Sequence, residues 1–177
     1  LTAGVLRLDA FNLTLNNTTA IAGAPFDITK MIETNGLGSL IRSANATNQS
    51  FNLLYPVGSG GYYNPLTVSA LPNLVAAARS FSVRAVPANP LVLSNSINKY
   101  WDLAVTNITT AGTTVLSFQY NAGEIIGDPL LFQPFTNTSG SWSLATGPSI
   151  PGTNPATSTG SATITGSWTV GAPSTFY

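Results

Sequence analysis

Hydrophobic positions in this chain recur every second residue far more often than every third or fourth. The clearest run covers residues 161–170. Ala162, Ile164, Gly166, Trp168 and Val170 share one side, and Ser161, Thr163, Thr165, Ser167 and Thr169 share the other. Successive side chains of a strand point to opposite faces, so this alternation describes a long antiparallel strand with one wet face. Residues 113–120 repeat it with Leu116, Phe118 and Tyr120, and residues 80–86 with Phe81, Val83 and Ala85. Shorter strands are expected at 5–8, 13–15, 37–42, 51–57, 66–70, 100–105 and 141–145.

Turn signals separate these runs: Asn35-Gly36, Gly58-Ser59-Gly60-Gly61, Pro87 with Pro90, Ala111-Gly112, Gly127-Asp128-Pro129, and Pro148 through Pro155. Many short strands at such spacing predict an all-β fold, an antiparallel β-sandwich of jelly-roll or immunoglobulin-like type. At most one or two short helices are expected, at 71–80 after Pro72 and at 25–34 with Asp27 as cap. No composition break divides the chain, so residues 1–177 read as one domain, with 147–160 as its longest loop. Gly-Ser-Trp recurs at 140–142 and 166–168 and reads as equivalent positions in two strands.

The N-terminal segment stands apart. Leu6 and Leu8 alternate with Arg7 and Asp9, Val5 precedes them, and Leu13-Thr14-Leu15 follows. Such a strand near a chain end pairs within its own sheet or completes a neighbour's, so Val5, Leu6, Leu8, Leu13 and Leu15 form a candidate subunit-linking strand. Leu1 reads as a processed or excised end.

Charge then narrows the chemistry. Six Lys+Arg balance six Asp+Glu, and charged residues are only 7% of the chain, against roughly 25% in an ordinary soluble domain. No basic field holds nucleic acid, and no polybasic patch or long apolar run argues for membrane association or insertion. His and Cys are both absent, which removes the commonest acid–base group, thiol catalysis, and zinc, haem or iron–sulfur sites built on them. No cofactor is expected. Polarity comes from 41 Ser+Thr and 16 Asn, a composition that favours an extracellular or cell-surface location. Seven sequons, at Asn12, Asn16, Asn17, Asn45, Asn48, Asn107 and Asn137, are candidate glycosylation positions, though composition alone supplies many of them.

The remaining candidates are few. No Gly-x-Ser-x-Gly elbow is present, and Ser39 and Ser59 read as turn serines. Glu124 and Asp128 flank one turn and are the carboxylate pair that a glycosidase would need. Tyr62 and Tyr63, beside Gly60-Gly61, are candidate ligand-facing aromatics for stacking on sugar, whereas Trp101, Trp142 and Trp168 are expected in the core. Lysine is rare, so Lys30 or Lys99, if buried beside an Asn and a carboxylate, is a candidate for an intramolecular amide bond of the kind some fibre domains form.

Several segments occur in a familiar order: Asn35-Gly-Leu-Gly-Ser-Leu-Ile-Arg42, Tyr55-Pro-Val-Gly-Ser59 with Tyr63-Asn-Pro-Leu-Thr-Val68, Lys99-Tyr-Trp-Asp-Leu103, and Thr165-Gly-Ser-Trp-Thr-Val-Gly171. Together they span most of residues 1–171. The chain resembles the β-rich module of the large, repeat-containing surface and adhesin-like proteins of Bacteroidetes-type bacteria, many of them type IX-secreted. The resemblance implies a non-enzymatic extracellular building block of an adhesin or fibre, and carries no catalytic residues. Its partners would be copies of itself, neighbouring modules or glycans. A self-assembling filament subunit joined by its N-terminal strand, and a carbohydrate-binding module, are the alternatives. With no histidine to titrate, folding stability should be nearly flat between about pH 5 and 8; denaturant midpoints measured across that range check this.

Overall fold

The structure is a computed structural model that describes residues 1–16, 19–44, 52–69, 78–88, 95–107, 114–147, 149–160 and 164–173. Its regular structure is nearly all β. In chain order the strands are β1 (Leu6–Arg7), β2 (Leu13–Leu15), β3 (Ile32–Glu33), β4 (Leu40–Ala44), β5 (Leu53–Tyr55), β6 (Val57–Ser59), β7 (Tyr62–Tyr63), β8 (Leu66–Ser69) and β9 (Arg79–Val86). They continue as β10 (Ser96–Ile97), β11 (Tyr100–Thr106), β12 (Val115–Phe118), β13 (Ile125–Ile126), β14 (Gln133–Asn137), β15 (Trp142–Leu144), β16 (Ala156–Thr159) and β17 (Gly166–Gly171). Among the described residues the only helical elements are two 3-10 turns, Ala122–Glu124 and Pro129–Leu131.

The strands form three sheets. A nine-stranded sheet runs β13-β10-β17-β11-β9-β4-β2, with β14 and β15 joined to it through β17. A four-stranded sheet runs β16-β12-β8-β5, and a second four-stranded sheet runs β1-β3-β6-β7. Pairing is mixed rather than purely antiparallel as expected from the sequence. β1 with β3, β3 with β6, and β2 with β4 are parallel. The N-terminal segment causes two of these pairings, because it runs beside residues 32–42 in the same direction. It lies close: the Gly38 N–H donates to the Asp9 carbonyl at 2.8 Å. A Cβ on Gly36 would stand 2.1 Å from that oxygen, which is why Asn35-Gly-Leu-Gly38 carries glycine at this crossing.

The period-two reading is visible in the register. Across the large sheet Leu13, Leu40, Val83 and Leu103 pair in a row on one face. Ala85, Trp101 and Trp168 form another row on that face, and all but Leu13 of these seven residues are buried. The opposite face carries Arg84, Asp102 and Ser167 in register. There Arg84 donates to Asp102 Oδ2, and Ser167 Oγ donates to Oδ1 at 2.6 Å. The sheet containing β12 turns Tyr55, Leu66, Phe118 and Ala156 inward in one row. These faces meet through aromatic contacts: Trp101–Phe118 at 5.1 Å, Phe118–Trp168 at 5.4 Å and Tyr55–Phe81 at 5.4 Å between centroids.

Several expectations are corrected. Residues 25–34 are not helical. Asp27 Oδ1 accepts from the Thr29 N–H at 2.7 Å, and Asp27 and Lys30 form a β-bridge that leads into β3, so Asp27 builds a tight turn instead of capping a helix. The helix expected at 71–80 falls on 71–77, outside the described residues, and on Arg79–Ser80, which begin β9. The long loop expected at 147–160 contains β16. Ser59 is a buried strand residue, not a turn serine. The two Gly-Ser-Trp tryptophans are not equivalent. Trp168 pairs with Thr136 and Trp142 with Asn137; adjacent residues of β14 face opposite ways. Trp142 is therefore half-buried on the other face, outside the core expected for it. Thr169, expected on a wet face, is fully buried, and its hydroxyl donates to the Lys99 carbonyl at 2.7 Å.

Phe118→Ala removes the ring that touches both tryptophans, and should cost about 3–5 kcal/mol of unfolding free energy. Thr67→Ala, on the exposed face of β8, should change it by less than about 0.5 kcal/mol. Denaturant titration of both variants checks the contrast.

Candidate functional site

The period-two rhythm that builds β11 also buries a charge. Ile97, Trp101 and Leu103 face the interior, and Lys99 takes the position between them, 1% exposed. The backbone places it in the link between β10 and β11. Asn98 is fixed there, its N–H donating to the Glu124 carbonyl at 2.8 Å.

Three oxygens surround the ammonium. Lys99 Nζ donates to the Ser59 carbonyl at 2.7 Å and to Asn64 Oδ1 at 2.5 Å. It also lies 2.7 Å from Glu124 Oε1, an ion pair outside good hydrogen-bond alignment. Asn64 Nδ2 in turn donates to Glu124 Oε2 at 2.6 Å. The carboxylate therefore bridges the amine and the amide. Asn64 is 0% and Glu124 3% exposed, so the three groups interact with little water between them. Burial pushes the Lys99 pKa below the ordinary lysine range, opposed by the close contact and charge of Glu124.

Each partner is held from behind. The Asn64 N–H donates to the Val57 carbonyl at 3.0 Å, and the Asn64 carbonyl accepts the Trp101 indole N–H at 3.0 Å. Glu124 ends the 3-10 turn, and its Oε2 accepts the Asn121 N–H at 2.9 Å. Asn121 Nδ2 reaches the Tyr63 carbonyl at 2.7 Å. Ser59 and Tyr62 flank a two-residue hairpin loop, Gly60-Gly61, with φ of +58° and +78°, the conformation a type I′ turn demands. That hairpin brings the Tyr62 ring to 5.4 Å from Nζ, a cation–π contact.

A pocket of about 310 Å³ adjoins the cluster, lined by Gly60, Tyr62, Pro87, Asn98, Lys99, Gly123 and Glu124. Asp128 is not among its walls. Its Oδ1 accepts the Leu130 N–H at 3.0 Å and caps the next turn, so Glu124 and Asp128 do not act as a facing pair. Tyr62 and Tyr63 are both half-buried. Tyr62 borders the pocket, while burial and the charge of Asp27 push the Tyr63 phenol up to about 12. Of the tryptophans, Trp101 is in the core, and Trp142 lies on the outer face of its sheet. Lys30 is half-exposed over the Phe26 ring at 5.9 Å, so of the two candidate lysines only Lys99 is buried.

The remaining positions are placed as follows. Val5 and Leu6 are exposed, Leu8 is 7% exposed, and Leu13 and Leu15 pack half-buried against the core; Leu6 in β1 and Leu13 and Leu15 in β2 pair within the chain's own sheets. Asn12, Asn16 and Asn107 are exposed and Asn137 half-buried. The Asn107 amide donates to the Ala78 carbonyl at 2.8 Å. Asn17, Asn45 and Asn48 lie outside the described residues. Among the described residues no three carboxylates gather, and no helix is long and apolar enough to cross a membrane. Sequence reasoning singled out Lys99 and Glu124 but missed Asn64 and Asn121; alternation through Ile97, Lys99 and Trp101 was the available signal for the burial of Lys99.

Comparison with protein-family models, curated proteins and solved structures gave no match. The site's meaning rests on its geometry.

Trp101→Phe removes the indole donor and leaves the buried Asn64 carbonyl unpaired. It should lower unfolding free energy by about 1–3 kcal/mol, read from urea midpoints at unchanged m-value.

Proposed function

We propose that this chain is a non-enzymatic extracellular structural module, a β-sandwich building block of a cell-surface adhesin or fibre. The observation that carries the reading is the direction in which its reactive groups are spent. Lys99, Asn64 and Glu124 bind one another inside the fold and tie β6, β7, β10 and the 3-10 turn together. Zero net charge and a Ser/Thr-rich surface suit contact between like copies without repulsion. The ordered segments that resemble the Bacteroidetes-type surface module point the same way. Phe11 and Leu37, 78% and 76% exposed, supply apolar contact area for a neighbouring copy or module.

A second reading, carbohydrate binding, draws on the pocket beside Tyr62. Antibody against the purified chain should label intact, unlysed cells of the source organism; labelling only after lysis overturns the surface role. A glycan array with the same chain should stay blank. Binding lost in Tyr62→Ala would favour the second reading instead. Electron microscopy of the purified chain separates the two structural forms. Ordered fibres that vanish when residues 1–15 are deleted mark a filament subunit joined by its N-terminal strand, and isolated monomers mark one module of a larger protein.

A further inference from the structure

The cluster around Lys99 holds a nucleophile, an acyl carbon and a proton carrier in mutual contact, which is more than an ion pair requires. Nζ stands 2.5 Å from Asn64 Oδ1, the oxygen bonded to the amide carbon. Glu124 touches the attacking nitrogen through Oε1 at 2.7 Å and the departing nitrogen through Oε2 at 2.6 Å. We propose that the folded chain joins Lys99 Nζ to Asn64 Cγ in an intramolecular amide bond, with Glu124 relaying the protons.

The step balances without a co-reactant. Glu124 Oε1 takes one proton from the ammonium, leaving a neutral amine with its lone pair free. That lone pair forms the Nζ–Cγ bond, and the carbonyl electrons move onto Oδ1. Glu124 delivers its proton through Oε2 to Nδ2 and accepts a second from Nζ. The carbonyl re-forms, the Cγ–Nδ2 bond breaks, and ammonia leaves. Lysine ends as a secondary amide, and Glu124 ends protonated.

The surroundings favour this course. Burial favours the neutral amine over the ammonium. All three groups are 3% exposed or less, which keeps water from competing at Cγ. Val57 and Trp101 clamp the Asn64 backbone at both ends, and Asn121 holds the carboxylate, so the reacting atoms start in place. The adjoining pocket gives ammonia a way out. The bond would close residues 64–99 into one loop containing β8, β9 and β10. It follows from the cluster alone, and stands whether or not the chain belongs to a surface fibre.

Intact mass spectrometry of the purified, folded chain tests it. The mass should be lower than the sequence mass by one ammonia. Trypsin should fail to cut after Lys99 and release fragment 43–79 joined to fragment 85–177. A folded chain of full mass overturns the proposal. So does ammonia loss mapped to Asn35-Gly36 with Lys99 cut normally. Glu124→Gln, with its β circular-dichroism spectrum retained, should keep full mass and give separate fragments 43–79 and 85–99. A folded Glu124→Gln chain crosslinked to the wild-type extent would remove the relay role from Glu124. The wild-type measurement needs no variant to fold.

Discussion

An ammonium group withdrawn from water has to be met by oxygen, and Lys99 imposes that demand on the centre of this molecule. Burying a lone charge costs several kcal/mol even after relaxation. The compensating atoms come from three separate stretches: the Ser59 carbonyl, the Asn64 side chain and the Glu124 carboxylate. For all to reach one nitrogen, the β6–β7 hairpin, the start of β11 and the 3-10 turn must converge. Their convergence joins the small parallel-edged sheet to the nine-stranded one. An apolar replacement for such a pair is often neutral or stabilising. Stability alone therefore gives no reason to bury one of only six cations; fixing a register or performing a reaction does.

Around that point the fold is economical with charge. Among the described residues three ion pairs occupy six of the twelve charged side chains. The Arg84–Asp102 pair lies across neighbouring strands on the face opposite Trp101 and Trp168, and Ser167 completes its hydrogen bonds. It stiffens the register there without loading the core. On the inner face, Phe118 lies against both tryptophans and brings two sheets together through ring contacts that need no polar partner. Most of the polar surface work then falls to hydroxyls such as Thr67, Ser117 and Thr157, which face away from that packing.

The strands were legible because alternation is a local signal: residues 80–86 and 113–120 declare their buried faces without help from the rest of the chain. Direction of pairing is not local. Nothing in Leu6–Arg7 says that its partner is Ile32–Glu33 in parallel, because that choice depends on where the chain returns. The same limit misassigned Trp142, whose sequence neighbours copy those of Trp168. A one-residue offset along β14 put it on the opposite face. At 25–34 the apolar spacing imitates a helix, but Asp27 binds Thr29 and turns the chain back. For the site, composition exposed Lys99 by its rarity. Asn64 stayed hidden among sixteen asparagines, since only the fold shows which one the carboxylate bridges to the lysine.

The position of the Lys99–Asn64 contact divides the molecule mechanically. A bond there would enclose β8, β9 and β10, the strands between which the large sheet and its facing sheet are connected. The N-terminal ribbon lies outside that loop. It is held by parallel backbone hydrogen bonds at sheet edges, by Leu8 in the core, and by the partly exposed Arg7–Glu33 pair. Hydrogen bonds and a few apolar contacts are reversible, whereas an amide is not. Under the strand-donating form of the proposal, the same chain would combine a locked centre with an edge strand given up to another copy. Strand exchange needs that division, because an edge can be given up only if its departure leaves the centre folded.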